Sequence, residues 1–266
     1  MSTLVRRSRG ANVALGVGLV LVALAALAPW LAPYAPDAID LAGRRAGPSV
    51  EHWFGTDDLG RDVLTRVLHG GRVSLAIGLL SAAMASVAGA GVGSMAASAG
   101  RWVDAVLMRL ADALLAVPRL PLLMIVSVIV RPGVVLLAVM VAAVSWMETA
   151  RVMRGEVIAV RARSFVEAAR AVGAGPVAAL WRHVAPNVAP ALAVSATLAV
   201  GRAILLESAL SFFGVGVQPP SASWGNMLYQ AQATMASEPW LALFPGLAIL
   251  ATVLVVNRLG EELVSA

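Results

Sequence analysis

The chain has 266 residues, of which 59% are hydrophobic and only 13% charged, with a mean hydropathy of +0.83. That is too apolar for a soluble domain of this length and reads as an all-α, polytopic membrane protein. There is no cysteine, which excludes disulfides and thiolate metal sites, and all twenty basic residues are arginine, which excludes the lysine of a phosphate-binding loop. The net charge of +5 does not point to nucleic acid, because the arginines gather at the edges of apolar runs, where orientation in a bilayer explains them.

A transmembrane helix needs about 20 mostly apolar residues, and six runs meet that need: 12–32, 73–98, 103–130, 133–152, 188–214 and 239–259. Arg6, Arg7 and Arg9 precede the first with no acid nearby, so the N-terminus is expected in the cytoplasm, and six crossings return the C-terminus there. The first run continues past Pro29 to Leu31, and proline after a small residue hinders cleavage, so it is expected to be a retained span instead of a signal peptide.

The following loop, to Arg72, balances five arginines against six acids, which is compatible with export. In it Gly55, Thr56, Asp57, Asp58 and Gly60 predict a turn. Leu59, Val63, Leu64, Val67 and Leu68 then fall on one helical face, with Arg61, Asp62 and Arg66 opposite, so an amphipathic helix over 59–68 is expected on the outer membrane surface. It serves as a gate, as a seat for an external protein or as a structural cap. Asp57, Asp58 and Asp62 lack the pattern and terminal glutamate of a calcium loop.

Within the spans, Gly89-x-x-x-Gly93 predicts close helix packing, and Pro118 and Pro121 predict a kink in the third. Charges inside a span are costly unless paired or facing water. Arg119, Arg202 and Glu207 are therefore candidates for a translocation path, with an ion pair between Arg202 and a neighbouring acid as the plainer alternative. Glu148 is read as lying near the inner end of its span, snorkelling to the interface.

The loop 152–187 holds five arginines and 215–238 none, so the first is expected inside and the second outside. Ser164-x-x-Glu167 fits a capping box, Ala168, Ala169 and Ala171 propagate a helix, Gly173 and Gly175 are stopping positions, and Pro176 suits the first turn of a second short helix.

Glu167-Ala168-Ala169, then three residues, then Gly173, with Pro186 beyond, resembles the cytoplasmic EAA loop of ABC importer permeases. Residues 52–62 resemble the H-x-x-G-T-D-x-x-G-R-D signature of the dipeptide, oligopeptide and nickel class. Trp102, Asp104, Met108, Arg109 and Asp112, the stretches 210–220 and 223–227, and Trp240 to Gly246 resemble further segments of that class. Ala185 and His183 depart from the usual leucine and isoleucine before the loop proline, and Arg119 and Arg202 also look like departures.

The resemblance implies a MetI-like permease fold of six transmembrane helices in the cell inner membrane. Residues 1–72 would form a tail, first helix and external loop, and residues 73–266 a five-helix core with its coupling loop at 164–186. It implies a second permease as heterodimer partner, two cytoplasmic ATPase subunits that use ATP and magnesium, and an external solute-binding protein. No cofactor or metal is expected on this chain, and peptides are the expected cargo, with nickel, glutathione or another small solute as alternatives within the class. The histidines, 52, 69 and 183, cannot converge, and no hydrolase or nucleotide-binding motif is present, so the chain is not expected to be an enzyme. The other readings are an ion-coupled secondary transporter with a relay at Glu207, Glu148 or Arg202, and a membrane scaffold without flux.

Overall fold

The computed structural model describes residues 9–265. Arg6 and Arg7, on which the expected placement of the N-terminus rests, lie outside them. Regular structure among the described residues is helical throughout: α1 (Arg9–Ala26), α2 (Ala28–Leu31), α3 (Val63–Ser98), α4 (Arg101–Ala116), α5 (Arg119–Val130), α6 (Val134–Ala143), α7 (Trp146–Arg161), α8 (Ser164–Ala171), α9 (Pro176–Ala179), a π-helical turn (Leu180–Val184), α10 (Ala185–Phe212), α11 (Trp224–Ala231) and α12 (Trp240–Ser265).

Three stretches, Val63–Ser98, Val177–Phe212 and Trp240–Leu263, are long and apolar enough to cross a membrane singly. The pairs α4/α5 and α6/α7 also qualify when each bent pair is taken as one span, and Asn12–Ala26 is a shorter apolar helix. Each of the six apolar runs thus coincides with a helix or a helix pair.

The two bends have different causes. Between α4 and α5 the direction changes by 80°. Pro118 cannot donate to the ladder and forces its predecessor, Val117, into extended backbone at φ −79°, ψ 127°. Between α6 and α7 the change is 46° and no proline is present. There the Ser145 hydroxyl donates to the Val141 carbonyl at 2.7 Å, a local back-bond that competes with helix continuation.

Residues 59–68 do not form a separate surface helix. Asp62 caps α3 by accepting from the Thr65 amide at 2.7 Å, and α3 then runs unbroken to Ser98. Gly70 and Gly71, which resemble a loop in the sequence, lie inside this helix because other elements pass close. A Cβ on Gly71 would come within 2.9 Å of the Trp224 ring, and one on Gly70 within 3.3 Å of the Ser223 backbone.

Small residues set the packing, as they must where lipid removes most of the hydrophobic drive between helices. A Cβ on Gly89 would lie 2.6 Å from the Trp146 carbonyl oxygen, and one on Gly93 2.3 Å from that of Ala150, so the expected glycine pair does seat α3 on α7. Nearer the start of α3, Ile77, Leu123, Leu137, Val141 and Leu210 join α3, α5, α6 and α10 in one apolar core. At one end of the bundle, residues 33–62 and 213–239 pack together, with Phe54 stacked on Phe244 at 3.7 Å between ring centroids. At the opposite end lie α8 and α9.

Candidate functional site

Two charged or polar regions and one exposed helix make up the candidate site. The first region is at the 33–62 end. Gly55 and Gly60 both adopt φ +75°, which L-residues avoid, and a Cβ on Gly60 would fall 1.7 Å from the Asp40 carbonyl oxygen. The Thr56 hydroxyl donates to the Gly43 carbonyl and accepts from the Ala46 amide. Asp57 accepts from the Leu59 and Arg61 amides, both at 2.9 Å, and from Arg61 Nε at 2.8 Å. Arg66, only 2% exposed, approaches the same carboxylate at 3.5 Å, and Gln230 of α11 accepts from its Nη2 at 3.3 Å. Asp58 remains exposed 3.7 Å from Arg61, and the Asp62 carboxylate also meets His52 Nδ1 at 2.9 Å.

The expectation that Arg61, Asp62 and Arg66 face solvent is therefore corrected. All three are buried, because the 33–57 segment and α11 cover them and the arginines find Asp57. An alternating polar face is legible in sequence. That a later segment folds over it is not.

The second region lies within the bundle. Glu148 stands in the first turn of α7, its Oε1 accepting from Arg119 Nη2 at 2.6 Å and its Oε2 paired with Arg202. Glu148 is thus not at the inner end of a span, because the bend at Ser145 lets α7 continue to Arg161. Arg119 precedes the end of α5 by eleven residues and Arg202 that of α10 by ten. Arg202 thus stands about 15 Å along the axis from the end of α10, and Arg119 stands at the 80° bend between α4 and α5. The ion pair expected for Arg202 exists, and its acid is shared with Arg119. The charge balance of the spans could have revealed this, since two interior arginines need an acid and Glu148 is an acid in the span between them.

Glu207 does not join this cluster. It is fully buried, and its carboxylate accepts from Ser74 of α3 at 3.0 Å and from Ser211 at 2.8 Å. Those hydroxyls in turn accept from the amides of Trp224 and Val217, so Glu207 holds the 214–227 segment against α3 and α10. Asn226 completes the fixation: its amide group donates to the Ser221 and Val217 carbonyls, and with Ser223 it forms a capping box on α11. Nothing in the sequence pattern marks this anchoring of the 214–227 segment.

The exposed helix is α8. It begins at Ser164 as expected, but Arg163 takes the cap position and no side chain caps it, so the predicted Ser164–Glu167 box is absent. Gly173 ends it at φ +98°, and Pro176 opens α9. The second short helix is not separate, because α9 runs through the π turn into α10. Pro186 removes a ladder donor just beyond the π turn, whose widening accommodates the loss, and Pro190 removes another inside α10.

Only Val166 of α8 is buried, against Met153, Val157, Val160, Val184 and Val188. Glu167 and Ala168 are exposed, Ala169 is half-buried, and apolar Val172 (89%), Trp181 (70%) and Val177 (68%) are left open beside them. Between this end and the bundle, Asp104 and Asp112 of α4 pair with Arg154 and Arg151 of α7, which gives the Trp102-to-Asp112 motif a helix-tying role. Among the described residues no group of three or more His, Asp or Glu side chains could hold a metal ion.

Residues 89–264 match the family of binding-protein-dependent transport system inner membrane components, and residues 5–48 match the N-terminal transmembrane domain of oligopeptide transport permease C. A protein of Brucella suis biovar 1 named as a candidate peptide permease is 44% identical over 236 residues, 88% of this chain and 78% of its own length. The glutathione transport system permease protein of Salmonella typhimurium is 38% identical over 259 residues, 97% of this chain and 86% of its own length. That of Escherichia coli O6:K15:H31 is 37% identical over 262 residues, with the same coverage.

Proposed function

The chain belongs to the family of binding-protein-dependent transport system inner membrane components, and on that premise we propose that it is one of two permease subunits of an ATP-driven importer of short peptides or glutathione-like solutes. The relatives' names support the cargo class. Two ATPase subunits, using ATP and magnesium, would work at the α8 end, and a solute-binding protein would dock at the other. The charge distribution supports that orientation. Residues 33–72 set six acids against five arginines, while residues 152–187 hold five arginines against two acids, which favours the cytoplasm for the α8 end and for both termini.

The observation that carries the proposal is α8 itself, a helix tethered by one buried valine and surrounded by exposed apolar side chains. Such a patch at the water-facing edge of a bundle marks a protein contact. In this reading Glu167, Ala168, Ala169 and Gly173 form the docking face, and Pro186, at the foot of α10, carries its movement into the span through the π turn. The rigid loop from Gly55 to Asp62 acts as the seat for the binding protein. Arg119 and Arg202 line the path, and Glu207 acts through the segment it holds.

The test is reconstitution of the complete importer with Glu167→Arg and, separately, Gly173→Val, which must strain a left-handed position. Both are expected to leave the two permeases paired and to lower ATPase association and uptake by tenfold or more. Unchanged ATPase association and uptake in both variants would overturn the coupling role.

A further inference from the structure

Arg119, Glu148 and Arg202 carry a net charge of +1, with Glu148 and Arg202 well inside the apolar α6/α7 pair and the 177–212 stretch, and the pairing leaves much of their hydrogen-bonding capacity unspent. Two guanidinium groups offer ten N–H donors, and each has one partner in the cluster, the shared Glu148. The side chains are not sealed: Arg202 is 45% exposed and Glu148 33%. A charge that deep does not face lipid, since its desolvation is not repaid there, so this side of the chain fronts water or another protein.

Beside the cluster is a cavity of about 450 Å³ between α7 and α10, lined among others by Glu148, Arg202, Ser195, Leu198 and Glu156. Glu156 is an exposed carboxylate without an ion-pair partner among the described residues. It lies eight residues after Glu148 on the same helix, or about 12 Å along the axis. Arg119 is not a lining residue, but by pairing with Glu148 it offsets that carboxylate, which leaves Arg202 as the available cation at one end of the cavity and Glu156 as an unneutralised negative charge at the end toward α8. An extended peptide advances roughly 3.3–3.6 Å per residue, so this separation suits about three residues.

We propose that Arg202 and Glu156 form a two-ended seat in the translocation path, in which Arg202 takes the carboxylate of a short peptide, Glu156 its ammonium group, and Arg119 offsets Glu148 so that Arg202 stays available. Glu148 keeps the two guanidinium groups together when no cargo is present. A cargo carboxylate can take up the unspent donors in a charge-assisted, bidentate contact without displacing Glu148. The inference rests on the importer reading above and gives it a substrate class, a zwitterion of about three residues.

The experiment uses the complete importer in proteoliposomes with saturating binding protein. Its cargoes are trialanine, trialanine C-terminal amide and N-acetyl-trialanine, with each rate normalised to the binding protein's measured occupancy. Trialanine should enter about tenfold or more faster than either blocked form, the scale of one lost charged hydrogen bond. Arg202→Gln should bring trialanine down to the rate of its amide, Arg202→Lys should retain most of the preference, and Glu156→Gln should remove the preference over the acetylated form alone. If Arg202→Gln fails to assemble, Glu156→Gln decides, since it breaks no ion pair among the described residues. Equal loss for all three cargoes, or no change in their ratios, would mean that the cluster only clamps helices and would overturn the seat. Absence of any tripeptide uptake by the unaltered importer would instead overturn the peptide reading, and the seat with it.

Discussion

The two ends of the bundle are built on opposite plans. At the 33–62 end, two glycines at φ +75°, a buried Asp57–Arg61–Arg66 group and the Glu207 serine cage tie the 33–62 and 214–230 segments to α3, α10 and α11. At the other end, α8 has no side-chain cap and a single buried residue. Low local contact and exposed backbone place a segment at the low-stability end of a structure, where moving parts are drawn from. In the function proposed above, the first end would be a fixed platform and α8 a loosely held lever.

The largest effect that could break this contrast is expected from Gly60→Ala. Its Cβ would meet the Asp40 carbonyl oxygen at 1.7 Å, so the platform must open, at a cost of about 4 kcal/mol or more. Thermal unfolding in detergent should show a steep loss of stability, and an unchanged transition would mean the platform is not rigid. Glu207→Ala is expected to cost about 2–3 kcal/mol, because the Ser74 and Ser211 hydroxyls lose a buried acceptor. The same measurement checks it, and protease cleavage within 214–223 should increase. Val172→Ser, at the lever, should change stability by less than about 0.5 kcal/mol while weakening ATPase binding in a pull-down. A large stability loss there would put α8 among the fixed elements.

Much of the plan could be read from the sequence, and the misses share a physical origin. Apolar run length and proline position are local properties, so the helices and the break at Pro118 were legible. So was the Gly89/Gly93 seam, because small residues four apart lie on one helix face. The partners of polar side chains were not, because they come from distant elements. Gln230 covers Arg66 from 164 residues away, and Ser74 meets Glu207 across 133. The capping template was applied at Ser164, whereas a box forms at Ser223 with Asn226. The pattern names a candidate position but not whether the backbone enters the helix one residue earlier, as it does at Arg163. The place of Glu148 is hidden for a similar reason, since nothing in its neighbourhood except Ser145 marks the bend after which α7 continues to Arg161.

The most direct test of the lever and platform uses the absence of native cysteine. Val172→Cys and, in a second protein, Trp53→Cys can each be labelled with benzophenone maleimide, both positions being largely exposed, and photolysed in the assembled importer while it hydrolyses ATP. The account predicts that the probe at 172 captures an ATPase subunit and the probe at 53 captures the binding protein. Failure of the 172 probe to reach the ATPase, or its capture from position 53, would contradict it.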